Sequence, residues 1–275
     1  MIIYGSRMYG VKNVVKSVGF CEHCGDYTTF KSYTGRRWGH LYFIPLIPES
    51  GHVHVLKECK TCDKGNHIPI DSVSTIIEAC RKDIGEAVGA LAKNKYVYSG
   101  KDERGNFIEI PCIDSIIASV DMLYNFGEKE DVGVLLCELQ EKKMLYVFYI
   151  MNGIVLELEG KLDRALEEFK KAFENNPDNN ISAYRLMGNT LFLMGKLHDA
   201  LEYYEKMLKM TDDKLDIYLN LLNVFGGLKN HLALAETFEK CFEESKELAK
   251  DKKFVKQYKK ACKKAGRKPD ITLIS

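Results

Sequence analysis

The chain carries almost no net charge. Forty Lys and Arg residues face 39 Asp and Glu, leaving +1. A surface so balanced does not attract a polyanion as a whole, so any polyanionic partner must be met through local runs. A long apolar run is also missing. The run from Leu41 to Pro48 contains two prolines and falls well short of the roughly 20 residues a membrane helix needs. The opening run from Met1 to Tyr4 is too short for a signal peptide, and Arg7, Lys12 and Lys16 keep it from growing into one. These absences predict a soluble, cytoplasmic chain with no transmembrane segment. Catalytic spacing is absent too. There is no nucleophile elbow, phosphate loop or H-E-x-x-H, so the chain is expected not to be an enzyme.

What the chain does have is cysteine and helical periodicity. Of nine cysteines, four form two C-x-x-C pairs, Cys21/Cys24 and Cys59/Cys62. The other five are scattered in half-apolar helical contexts, where a free thiol behaves as a small hydrophobe. This usage suits a reducing compartment and points to metal rather than disulfides. Each C-x-x-C can form a knuckle whose backbone N–H groups point at its thiolates. Two knuckles supply the four soft tetrahedral ligands that Zn²⁺ prefers. Four thiolates leave no open position, so the Zn²⁺ is expected to be structural. A redox C-x-x-C would need only one motif in a βαβ setting. His23, His52, His54 or His67 can in principle replace a thiolate.

Between the pairs lie β-rich runs, Tyr27–Tyr33, Trp38–Ile47 and His52–Leu56, with Gly35, Gly39 and Gly51 as turns. Residues 1–70 therefore read as a zinc ribbon. They resemble a zinc-ribbon family that opens with I-I-[FY]-G-x-[RK], here Ile2-Ile3-Tyr4-Gly5-Ser6-Arg7. That family sets its two C-x-x-C pairs around a W-x-x-x-x-F-I-P-L-I-P segment, here Trp38 to Pro48. The resemblance implies a metal-stabilised module and carries no catalytic residue across. The apolar Trp38–Pro48 segment can be an exposed docking loop or a membrane-surface wedge. It is expected instead to supply the ribbon's own core, since small metal domains have few other apolar groups to bury.

From Asp71 the pattern turns helical, with Asp71-Ser72 as the expected cap and Ile76, Ile77, Cys80, Ile84, Ala87, Val88 and Leu91 as the apolar face. Ser99 to Pro111 reads as a polar turn with a short extended end. Residues 71–112 are thus a linker, and 113–268 the body. In the body, helical pairs recur with a period near 34 residues. One unit carries Tyr149, Gly153, Leu156 and Gly160, then Ala165, Phe169, Ala172 and Pro177. The next carries Tyr184, Gly188, Leu191 and Gly195, then Ala200, Tyr204 and Met207. A third carries Tyr218, Leu222, Phe225 and Lys229, then Leu234, Phe238 and Cys241. A degenerate unit precedes them, with Ile116, Val120, Leu123, Gly127, Val132, Leu136 and Leu139.

This arrangement resembles the tetratricopeptide repeat. Small residues sit where paired helices approach (Gly153/Gly188, Ala165/Ala200), and aromatics fill the gaps (Phe169, Tyr204, Phe238). The third unit departs from the pattern at Leu222 and Leu234. The resemblance implies a mainly α fold, a right-handed helical-repeat superhelix beside a small β zinc ribbon, with a groove that binds a peptide or helix segment of a partner. It also places Arg185, Asn189, Asn220, and Lys250 or Lys253, as groove candidates that partly match the family's carboxylate clamp.

Lys246 to Lys268 holds eleven Lys or Arg against Glu247 and Asp251, with an apolar stripe through Leu248, Phe254, Val255, Tyr258, Ala261, Cys262 and Ala265. It reads as a capping helix, ended by Gly266 and Pro269, with a loose tail from Asp270. The chain is accordingly expected to be a protein-interaction scaffold. The alternative is a nucleic-acid-associated factor, using Lys31, Arg36, Arg37 and the C-terminal lysines for phosphate and Trp38, Tyr33 and Tyr42 for stacking.

Overall fold

The computed structural model describes residues 4–21, 23–24, 27–41, 44–101, 105–176 and 181–274. Ile2-Ile3 of the opening motif, Gly25, Tyr42, Phe43 and Pro177 lie outside them. By compactness the chain divides into two units, Met1–Asn175 and Asn176–Ser275.

The first unit begins with an antiparallel meander in the order β1 (Tyr4–Phe20), β2 (Tyr27–Leu41), β3 (Ile44–Cys59) and β4 (Asn66–Pro69). Helix α1 (Ile70–Leu91) follows directly. Its N-cap is Pro69, with no side-chain cap. Asp71, expected to cap, instead lies inside the first turn, where a carboxylate favours the helix dipole. The expected polar turn after α1 is in fact a β-hairpin, β5 (Val97–Lys101) paired with β6 (Phe107–Pro111). Gly105, at φ +82°, takes the backbone conformation its turn requires.

Two helix pairs complete the unit, α2 (Cys112–Phe126) with α3 (Lys129–Glu141) and α4 (Leu145–Leu158) with α5 (Leu162–Asn175). The sheet packs on these helices. Asn125, wholly buried on α2, accepts from Ser17 Oγ at 2.7 Å and Ser32 Oγ at 3.4 Å. Its own amide donates to the Asp121 carbonyl at 2.8 Å. Lys57 pairs with Asp121, and the His54 ring lies 4.9 Å from Phe126. Ser17, Ser32 and Asn125 satisfy one another, so the sheet and helix meet through buried polar side chains at little desolvation cost.

The second unit holds α6 (Ile181–Leu193), α7 (Leu197–Met207), α8 (Leu215–Gly227) and α9 (His231–Glu244), then a 3-10 turn (Lys246–Lys250) and α10 (Lys252–Lys264). The continuous basic helix expected from Lys246 is broken at Asp251. That residue caps α10 by accepting from the N–H groups of Lys253 (2.7 Å) and Phe254 (3.3 Å). The tail expected to be loose is tied down. Asp270 N donates to Tyr258 Oη at 2.8 Å, Arg267 binds Glu239 at 2.7 and 3.0 Å, and Leu273 and Ile274 pack on the Phe238–Phe242–Tyr258 cluster.

The fold is thus mainly α, in tetratricopeptide-like helix pairs, with a β N-terminus. The repeat glycines explain the pairing. Gly127, Gly160 and Gly195 stand at φ +94°, +78° and +75° in the turns between paired helices, while Lys229 takes φ 55° in the fourth. A Cβ on Gly153 would sit 2.3 Å from the Phe169 ring, so only glycine lets α4 approach α5.

Candidate metal centre and repeat groove

Both knuckles lie at one end of the sheet. Cys21 and Cys24 occupy the turn from β1 to β2, and Cys59 and Cys62 the turn from β3 to β4. Their four ligand atoms lie within 4.8 Å of one another. Cys21 Sγ is 3.8 Å from Cys62 Sγ, and Cys24 Sγ is 3.8 Å from Cys59 Sγ. A disulfide would bring two sulfurs to about 2.05 Å. Four sulfurs at about 2.3 Å from a tetrahedral zinc stand about 3.8 Å apart, so the observed spacing fits the ion.

The surroundings suit thiolates. Thr61 N donates to Cys59 Sγ at 3.3 Å, the knuckle bond expected from the motif. Burial pushes the Cys59 thiol up, but the backbone N–H groups of Cys62 and Thr61, with neighbouring thiols, outweigh it and bring the group down to about 6. Phe30 packs against Cys21 and Cys59 and keeps water from one side. Among the described residues this metal-ligand cluster contains no histidine. His23, His52 and His67 are exposed, and His54 is buried against Thr34 Oγ1 at 3.3 Å.

At the other end of the sheet, Ile47 is 67% exposed and Pro48 is exposed. The reading of this segment as ribbon core therefore fails at these two positions. Elsewhere in the sheet Tyr33, Val55 and Leu56 are buried.

In the second unit, a cavity of about 500 Å³ opens between α8, α9 and α10. Leu222, Leu234, Phe238 and Phe254 give it an apolar floor, and Asn223, Gln257, Lys260 and Lys264 give it polar groups. His231 also lines it, and its buried Nδ1 has no hydrogen-bond partner among the described residues.

None of the five groove candidates lines this cavity. Arg185 and Asn189 share α6, where Asn189 Oδ1 accepts from Tyr204 Oη at 2.6 Å and so serves the repeat itself. Asn220 is half-buried on α8. Lys250 pairs with Glu247 at 2.6 Å. Lys253 is exposed in the first turn of α10. The signal for the lining residues was available in the period. One repeat of about 34 residues beyond Asn189 is Asn223, and a second is Gln257.

Residues 181–214 match the tetratricopeptide repeat family. A stretch of 109 residues is 29% identical to Protein O-mannosyl-transferase TMTC1 of Homo sapiens, covering 39% of this chain and 11% of that protein. The chain thus spans about a tenth of the length of the curated relative it matches. Among the described residues, no helix is long and apolar enough to cross a membrane.

Proposed function

We propose that the chain is a non-enzymatic interaction scaffold of a reducing, cytoplasmic compartment, whose second unit binds a segment of a partner protein. The observation that carries this reading is the cavity between α8, α9 and α10. Its floor is apolar, and Lys260 and Lys264 stand beside it with Asn223 and Gln257. An extended or helical segment can place an apolar side chain against Phe238 and Phe254 and an acidic one against the lysines. The adjoining match to a repeat family built for segment binding supports it. The candidates Arg185, Asn189, Asn220, Lys250 and Lys253 belong to the same unit and would contribute at the margin of this surface.

In the first unit, Cys21, Cys24, Cys59 and Cys62 would hold a structural Zn²⁺. The ion would tie the two sheet turns together and, with four protein ligands, would leave no position for substrate.

The test places a photo-reactive amino acid at Gln257 and, as a control, at exposed Leu232. Adducts with protein segments at the first position and not the second support the groove. Adducts with nucleic acid, or equal labelling at both positions, refute it.

A further inference from the structure

The sheet runs well beyond the part that meets the helices. Its ties to α2 fall at Ser17, Ser32, His54 and Lys57. Past them, Tyr4–Tyr9 of β1 pairs with Arg36–Leu41 of β2, and Trp38–Leu41 pairs onward with Ile44–Pro48 of β3. The strand from Phe30, beside the cysteines, to Leu41 is about 36 Å long at about 3.3 Å per residue. The far end therefore stands well away from the metal centre.

That end has an unusual chemistry. Between Arg37 and Glu49 the sequence contains no Asp, Glu, Lys or Arg. Ile47 is 67% exposed, and Pro48 beside it is exposed. Trp38, opposite Pro48 in register, is half-buried, with the Arg36 guanidinium 5.4 Å from its ring centre. Around this end the neighbouring strands carry Arg7, Arg36 and Arg37, against the single acid Glu49.

Strand addition is a poor use of this end. The pairing of β4 with β3 covers only Val53–Leu56, and Pro45 and Pro48 have no N–H to give an added strand. On the β3 side contact must be made by side chains. Nucleic acid would engage the arginines but leave Ile47 and Pro48 in water. A bilayer interface satisfies both, since it accepts apolar and Trp side chains at headgroup depth and attracts basic residues to anionic lipid.

We propose that the distal end of the sheet docks on an anionic lipid surface, with Ile47, Pro48 and Trp38 entering the interface and Arg36 and Arg37 meeting the headgroups. Such binding is reversible, because one small apolar tip cannot anchor a chain permanently.

Trp38 is the only tryptophan in the chain, so its emission reports this end alone. The full chain would be mixed with vesicles of phosphatidylcholine, with and without phosphatidylserine. Anionic vesicles should sediment the protein, shift Trp38 emission to the blue and allow quenching by brominated lipid. Ile47→Asp should weaken partitioning about tenfold, and Arg37→Gln about fivefold. Both positions are exposed, so circular dichroism should be unchanged. Lys256→Glu with Lys259→Glu, exposed on α10, should bind as wild type does. The inference is overturned if anionic vesicles do not sediment the protein, if binding leaves Trp38 emission unmoved, or if Ile47→Asp binds as tightly as wild type.

Discussion

Replacing Glu157 with Gln should stabilise the first unit, and more so as pH rises. Glu157 lies on α4. Burial first, and then the charge of Asp121, push its carboxyl from 4.5 up to about 7. Tyr27, whose buried hydroxyl has no hydrogen-bond partner among the described residues, is pushed up to about 12 by burial and by Glu157. The carboxylate is thus held where its charge is unwelcome. Below pH 4.5 the group is protonated in folded and unfolded chains alike and costs nothing. Between pH 4.5 and 7 the unfolded chain ionises while the fold retains its proton, and stability falls. Above 7 the full penalty stands. At about 1.4 kcal/mol per tenfold in proton affinity the penalty approaches about 3 kcal/mol. Residual exposure of the side chain reduces it to about 2 kcal/mol. Gln copies the protonated form without titrating. Its advantage should therefore grow from a few tenths of a kcal/mol at pH 5 to about 2 kcal/mol at pH 8, or about 4–8 °C in Tm. Thermal melts of both proteins across this range provide the assay, and metal loss at the acid end affects both alike. An advantage independent of pH, or a less stable variant at pH 8, would refute the reasoning.

Three further outcomes are expected. Lys229 holds φ 55° where the equivalent turns use glycine, so Lys229→Gly should add about 0.5–1 kcal/mol to the second unit in a denaturant melt. Gly153→Ala would drive a methyl to 2.3 Å from the ring of wholly buried Phe169, costing about 2–3 kcal/mol by the same assay. Native mass spectrometry of the wild type should show one bound zinc. Cys59→Ser should lose it and loosen the sheet, while far-UV helix signal remains; an ion-free wild type would sink the assignment.

The helix pairs were legible because they obey a local period. Small residues at Gly153 and Gly188 and turn glycines at Gly160 and Gly195 recur at fixed offsets, and each acts on its immediate neighbours. The four cysteines were legible for a similar reason, since each knuckle is a local turn. What escaped was non-local. Nothing in the order of residues shows that Asn125 gathers Ser17 and Ser32, because polar residues carry no periodic signal when the partner is far along the chain. The β5–β6 hairpin was hidden by its brevity. The tail looked loose because Arg267, Asp270 and Ile274 find their partners only when α9 and α10 are packed. The cavity between α8, α9 and α10 was not legible as such, because its lining of Asn223, Gln257, Lys260 and Lys264 comes together only when three helices pack.

The measurement that bears most directly on the scaffold is affinity capture by the full chain, with and without nuclease. It would compare wild type with the Lys260→Glu, Lys264→Glu double variant and identify crosslinked segments. A scaffold of this kind should capture a protein partner that survives nuclease, crosslinks through an acidic segment and is lost with the two lysines. A partner retained by the double variant, or capture abolished by nuclease, would contradict it.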